Sequence, residues 1–237
     1  MKRMNVWAFL LMLPIFISLG VYAADDGAKK LIIQKYPGNY SCFLIQFPSG
    51  VVVVTDPYNI YEEIRADIVT ESHDHLDHTD VSKIVKPYQL INTCRRFEAK
   101  GVKITGFPGR HNKGDQEISN IIYVIEADGF RIVHFGSQGE LPNPAVLMEI
   151  GKVDVLIIQS FSYFPTKLNP AEVKRVADKL EPKIVIPAHG DDSYTIREKL
   201  AILLNGGTPL NAKDGRLELD QNLLGSIKPA QVMVLNN

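Results

Sequence analysis

Three of the six histidines lie between His73 and His78, in the segment Ser72-His73-Asp74-His75-Leu76-Asp77-His78. Imidazole nitrogen and carboxylate oxygen are suitable ligands for zinc. Two histidines one residue apart in an extended loop can bind one ion together. Asp77 and His78, where the chain turns into a helix, can face a second ion close by. The alternative is a solvated polar loop whose histidines are incidental. Three His and two Asp in so short a run argue against it.

Such a loop needs rigid elements to hold it. Residues 66–70 read as a strand that ends where the His-rich segment begins. Ahead of it, residues 30–35, 40–47 and 51–55 read as three strands, broken by Pro37-Gly38-Asn39 and Pro48-Ser49-Gly50. That pattern suits an antiparallel meander. Further strands are expected at 90–92, 103–107, 120–126, 131–135, 153–158 and 183–187. A helix is expected over 170–180, with Asn169 as cap, Pro170 in the first turn and Glu172 at the capping-box position. A second helix is expected over 194–204, closed by Gly206-Gly207. Weaker helical segments are 79–85 and 145–151. A meander followed by alternating strands and helices suits an α/β arrangement of two packed sheets with helices outside.

The motif His-x-His-x-Asp-His resembles the signature of the metallo-β-lactamase superfamily. The resemblance covers nearly all of the chain after its N-terminal segment. Thr55-Asp56-Pro57 looks like that family's early Asp-Pro, Gly109-Arg110-His111 like its next metal histidine, and Pro187-Ala188-His189-Gly190 like its final one. The stretch 169–189 resembles the branch that holds ascorbate-6-phosphate lactonase-like hydrolases. The resemblance implies a four-layer αββα sandwich. It also implies one zinc ion on His73, His75 and His111, and a second on Asp77, His78 and His189. Manganese and iron accept the same ligand types. Asp77 would orient a hydroxide and shuttle a proton. Asp56 and Asp74 are candidates to hold ligand imidazoles through their other ring nitrogen. Asp56 has an equal claim as a turn residue before Pro57.

The sequence departs from the family at one place. After the strand holding His134 the family carries Gly-Asp, whose carboxylate bridges both ions; here the pair is Gly136-Ser137. A hydroxyl is a far weaker ligand than a carboxylate. Gln138 and Glu140 are nearby substitutes to consider, and His134 itself reads as a buried strand residue. The implied activity is hydrolysis of an ester-, lactone- or phosphodiester-like bond in a small-molecule substrate. The alternative is a weakened or inactive metal-binding protein on the same fold. The aromatic stretch from Ser160 to Pro165 could line a substrate mouth or simply cover the core.

The remaining features bound the class. Charge is balanced, 26 Lys and Arg against 27 Asp and Glu, and scattered, so no platform for nucleic acid is expected. Lys2 and Arg3 precede an apolar run, residues 6–22, and Val21-Tyr22-Ala23 carries small residues at the cleavage-site positions. This reads as a signal peptide over residues 1–24, leaving a single hydrolase domain over 25–237. The expected destination is periplasmic or secreted, without stable membrane insertion; the alternative is an uncleaved anchor. Cys42 and Cys94 could pair in an oxidising compartment or remain two small thiols.

Overall fold

Leu31, Ile33, Phe43, Ile45 and Val53 are wholly buried, and in the first two strands they alternate with residues only partly so, as a sheet with one inward face requires. In the computed structural model these residues form the wall of a two-sheet sandwich. The structure describes residues 29–36, 41–160, 165–190 and 194–235, without the side chains of residues 189, 190, 194, 195 and 213. The expected signal segment and the aromatic residues 161–164 lie outside the described residues.

The first half of the chain supplies β1 (Leu31–Lys35), β2 (Phe43–Gln46), β3 (Val52–Thr55), β4 (Ile64–Arg65), β5 (Ile68–Thr70), α1 (Leu76–Thr79), β6 (Ile84–Val85), β7 (Gln89–Ile91), β8 (Arg96–Ala99) and β9 (Val102–Gly109). Then follow β10 (Asn120–Ala127), β11 (Phe130–His134), α2 (Pro144–Ile150), β12 (Val155–Ser160), α3 (Pro170–Leu180), β13 (Ile184–Gly190) and α4 (Tyr194–Asn205). The chain closes with β14 (Leu210–Ala212), β15 (Arg216–Leu219), α5 (Gln221–Ser226) and β16 (Gln231–Leu235).

One sheet has the order β15-β1-β2-β3-β5-β7, with β1, β2 and β3 as the expected antiparallel meander. The other has the order β14-β16-β13-β12-β11-β10-β9-β8. Strands β11, β12 and β13 are parallel neighbours. The sheets face each other across a core that includes Ile33, Phe43, Ile45, Tyr123, Ile132 and Ile157. Burying one such aliphatic side chain stabilises the fold by roughly 1.5–3 kcal/mol. Helices α2, α3 and α4 cover the outer face of the larger sheet. On the outer face of the smaller sheet, Cys42, Val54 and Val69 pack with Ile60, Ile64 and Ile84.

Helix α3 has the bounds its sequence implies. The Asn169 side chain accepts hydrogen bonds from the Ala171 and Glu172 amides at 3.0 and 3.1 Å, and Glu172 Oε2 accepts from the Asn169 amide at 2.9 Å. Residues 79–85 differ from expectation. The helix stops at Thr79, Asp80 Oδ1 takes the Ser82 amide at 3.0 Å, and β6 pairs with β4. A short Asp side chain offers the backbone an alternative to the helix. Pro87 further disfavours helical backbone just before it. Cys42 is buried, Cys94 is exposed, and no disulfide joins them. No helix among the described residues is long and apolar enough to cross a membrane.

Candidate metal centre

The residues singled out by chemistry sit in loops that leave the carboxyl ends of strands. β3 leads to Asp56, β5 to the His-rich segment, β9 to His111, and β11 to Gly136-Ser137. β13 ends beside β12, and its penultimate residue is His189. The side chain of His189 lies outside the described residues.

Asp56 is wholly buried and anchors this edge. Its Oδ1 accepts from the Ser72 amide, and its Oδ2 from the Ser72 hydroxyl, each at 2.7 Å. His78 Nδ1 lies 2.7 Å from the same Oδ2. Burial alone would raise the Asp56 carboxyl. The His78 and His134 imidazoles and the bonds from His78 and Ser72 outweigh it and hold the group well below the usual carboxylate range. Asp56 therefore does what its first reading asked: it fixes a histidine through Nδ1. His78 Nε2 lies 3.6 Å from Asp77 Oδ2.

A second relay starts from the same carboxylate. Ser72 Oγ gives its proton to Asp56, so it can only accept from His73 Nδ1, 3.0 Å away. The protonated nitrogen of His73 is then Nδ1, and Nε2 carries a lone pair. His73 Nε2 is buried and has no hydrogen-bond partner among the described residues. A buried imidazole lone pair left without a donor is costly, and a cation would satisfy it.

The histidine rings converge around that atom. Ring centroids are 4.6 Å apart for His73 and His75, and 4.7 Å apart for His111 with each of them. One nitrogen from each of the three lies within 4.8 Å of the others. Ligand nitrogens sit about 2.0–2.1 Å from a zinc ion, so modest side-chain rotation gives a three-histidine site. His78 packs on His73 with centroids 4.0 Å apart. Burial and the neighbouring imidazoles push His73 down to about 2. Burial and Lys167 push His111 down to about 4. Both are thus held neutral, the state a ligand needs. Asp74 is exposed and makes no hydrogen bond to a histidine among the described residues. A cleft of about 710 Å³ opens over the cluster, lined by His73, His75, His111, Cys94, Asp115 and Ile118 among others.

Residues 36–189 match the model of the β-lactamase superfamily domain. The chain belongs to this superfamily. A metal-dependent hydrolase from Pelotomaculum thermopropionicum is 27% identical over 194 residues, covering 69% of this chain and 78% of the relative. A Thermotoga maritima structure assigned to the zinc-dependent hydrolases of the metallo-β-lactamase superfamily is 29% identical. Its TM-score is 0.68, with 86% of this chain and 97% of that one covered. A metallo hydrolase from Ignicoccus hospitalis, 16% identical, shares the fold at a TM-score of 0.60 over 87% of this chain and 95% of its own.

Against the superfamily's pattern, position 137 is the departure, and the structure shows what surrounds it. Ser137 is wholly buried; its amide donates to Asn120 Oδ1 at 3.0 Å, and its hydroxyl lies 3.4 Å from Gln159 Oε1. Gly136 adopts φ +57°, and a Cβ there would sit 2.4 Å from Ser72 Cβ. Neither candidate substitute replaces the carboxylate. Gln138 Oε1 accepts from the Arg110 amide and Asn120 Nδ2, and its Nε2 donates to the Glu140 carbonyl. Glu140 faces Arg110 at 3.8 Å on the half-exposed rim. His134 is a wholly buried strand residue, edge-on to Phe43 at 6.0 Å, and burial pushes its pKa down.

The site also contains a residue that the sequence did not announce. Lys167 Nζ lies 3.0 Å from both ring nitrogens of His111, 2.6 Å from the His111 carbonyl and 3.4 Å from Ser137 Oγ. Burial lowers it to about 8, opposed by the Asp115 and Asp77 carboxylates. A lysine in a turn before a helix cap carries no motif, and only the packing of loops 111–113 and 165–168 brings it in.

Proposed function

We propose that this chain is a metal-dependent hydrolase, with zinc as the resident ion, acting on an ester-, lactone- or phosphodiester-like bond of a small molecule. The observation that carries the reading is the convergence of His73, His75 and His111, with the His73 Nε2 lone pair buried and unsatisfied. When bound, a divalent ion acidifies water toward neutral pH and polarises a carbonyl or phosphoryl oxygen. The chain's own residues do the rest. Asp56 and Ser72 lock the ring orientations of His78 and His73. Asp77, half-exposed beside His78, accepts and returns the proton of the attacking water. Asp77, His78 and His189 are the proposed ligands of any second ion. The open cleft admits the substrate to the histidine face.

The experiment is a panel of lactone, ester and phosphodiester substrates, assayed with metal-stripped protein and after adding zinc, manganese or iron. Turnover restored by metal and lost in His111→Ala supports the reading. Folded, metal-loaded protein without turnover on any of them would leave the second reading, a metal-binding protein with little catalysis. Ser137 favours that alternative, because it supplies no bridging carboxylate. Turnover appearing in Ser137→Asp alone would establish it.

We also infer export, from the basic head at Lys2 and Arg3 and the apolar run behind it. Cell fractionation with N-terminal sequencing tests this: mature protein beginning near Asp25 outside the cytoplasm supports it, and an intact N-terminus in the cytosol refutes it.

A further inference from the structure

In the reading above, His111 belongs to the first ion's ligands, Asp77 to the second ion's, and position 137 is the superfamily's bridge between them. One ammonium group lies against the first and the last of these and carries a charge opposite to the second. Lys167 Nζ contacts the His111 ring and carbonyl, reaches Ser137 Oγ, and has the Asp77 and Asp115 carboxylates as its opposite charges.

Its placement is built into the fold. The Thr166 carbonyl accepts the Lys113 amide at 2.9 Å. Gly139 leaves room for this approach, since a Cβ there would lie 2.5 Å from the Thr166 carbonyl and 2.3 Å from the His111 carbonyl. Leu168 is wholly buried, and Asn169 begins the capping box of α3. The lysine therefore enters the site from a segment pinned on both sides.

We propose that Lys167 Nζ takes the second-cation position of this centre, so that the site holds one metal ion, on His73, His75 and His111, beside an ammonium supplied by the chain. This rests on the metal-site reading and goes beyond it. The physical basis is charge. A dinuclear site needs anionic ligands between its ions to offset their repulsion. Here the bridging carboxylate is replaced by a neutral hydroxyl, and a positive charge lies within reach of that hydroxyl. Both changes act against a second dication, and the first ion keeps its three histidines once Nζ yields the His111 ring nitrogen that it faces. The ammonium can attract an anionic substrate oxygen as a metal ion would, as a point charge with three donors.

The test is zinc stoichiometry and affinity in the full chain, by elemental analysis and calorimetric titration of metal-stripped protein. Native protein and Lys167→Arg should each bind one ion tightly. Lys167→Met should tighten the second ion's binding by roughly tenfold or more, and Lys167→Met with Ser137→Asp should bind two. Two ions of similar affinity in native protein would overturn this proposal and leave the metal-site reading intact. No ion in native protein would overturn both. Should the double variant fail to fold, an unchanged second-ion affinity in Lys167→Met overturns the proposal by itself.

Discussion

Asp56 Oδ2 and His78 Nδ1 lie 2.7 Å apart with both side chains essentially removed from solvent, 0% and 1% exposed. The strand that ends at Thr55 thereby sets the orientation of a histidine two strands of sequence later. The same carboxylate reaches His73 through Ser72.

Replacing Asp56 with Ala should therefore act twice. Removing the buried carboxylate leaves the Ser72 and His78 donors unsatisfied, at about 1–3 kcal/mol each, which denaturant melts will measure. Loss of a group that orients a metal-binding histidine typically lowers metal affinity 10–100-fold, so Asp56→Asn, which keeps shape, should still bind zinc more weakly in a calorimetric titration. Unchanged affinity would separate the carboxylate from the site.

His73→Ala should behave differently. The substitution removes a buried nitrogen that has no hydrogen-bond partner among the described residues, so metal-free protein should lose little stability. Metal-dependent stabilisation should vanish, whereas native protein at an ion concentration about 100 times Kd gains about 2.7 kcal/mol. Thermal melts with and without chelator give both quantities.

The stability of metal-free protein should fall as pH drops below about 6.5. His73 and His111 are held down to about 2 and about 4 in the fold, while an unfolded histidine titrates near 6.5. Between about pH 6.5 and 4 the unfolded chain thus binds more protons, and stability rises with pH in that window. Asp56 adds to the loss at lower pH, because its folded pKa is depressed below the unfolded value. Denaturant midpoints of chelated protein at several pH values will show this slope. Flat stability from pH 7 to 4 would contradict the buried, neutral state of these imidazoles.

Gly136→Ala should destabilise the chain by about 1–3 kcal/mol from its left-handed backbone alone. The added Cβ also meets Ser72 Oγ at 2.5 Å and Asn120 Oδ1 at 2.6 Å. Since Ser72 orients His73, metal affinity should drop with stability; a variant that melts lower but binds zinc normally would limit Gly136 to a folding role.

Much of this was legible because the informative signals are local. The apolar strand runs set off by turn signals, the Asn169–Glu172 cap and the dense run from His73 to His78 each lie within a few residues of sequence. His111 needed the family resemblance, since a lone histidine after a strand says little. β8 was missed because Arg96 and Glu98 interrupt its apolar pattern at a sheet edge, and β4 and β6 are too short to show a period. Lys167 was missed for a deeper reason. Its role depends on a loop meeting residues 56 and 30 positions away in sequence, His111 and Ser137, which no spacing rule encodes.

The most direct test of the centre is a crystal structure of zinc-soaked protein with anomalous scattering measured at the zinc edge. The expected result is a peak about 2.0–2.1 Å from one nitrogen each of His73, His75 and His111. Zinc bound elsewhere, with these three imidazoles remaining uncoordinated at saturating metal, would contradict the account.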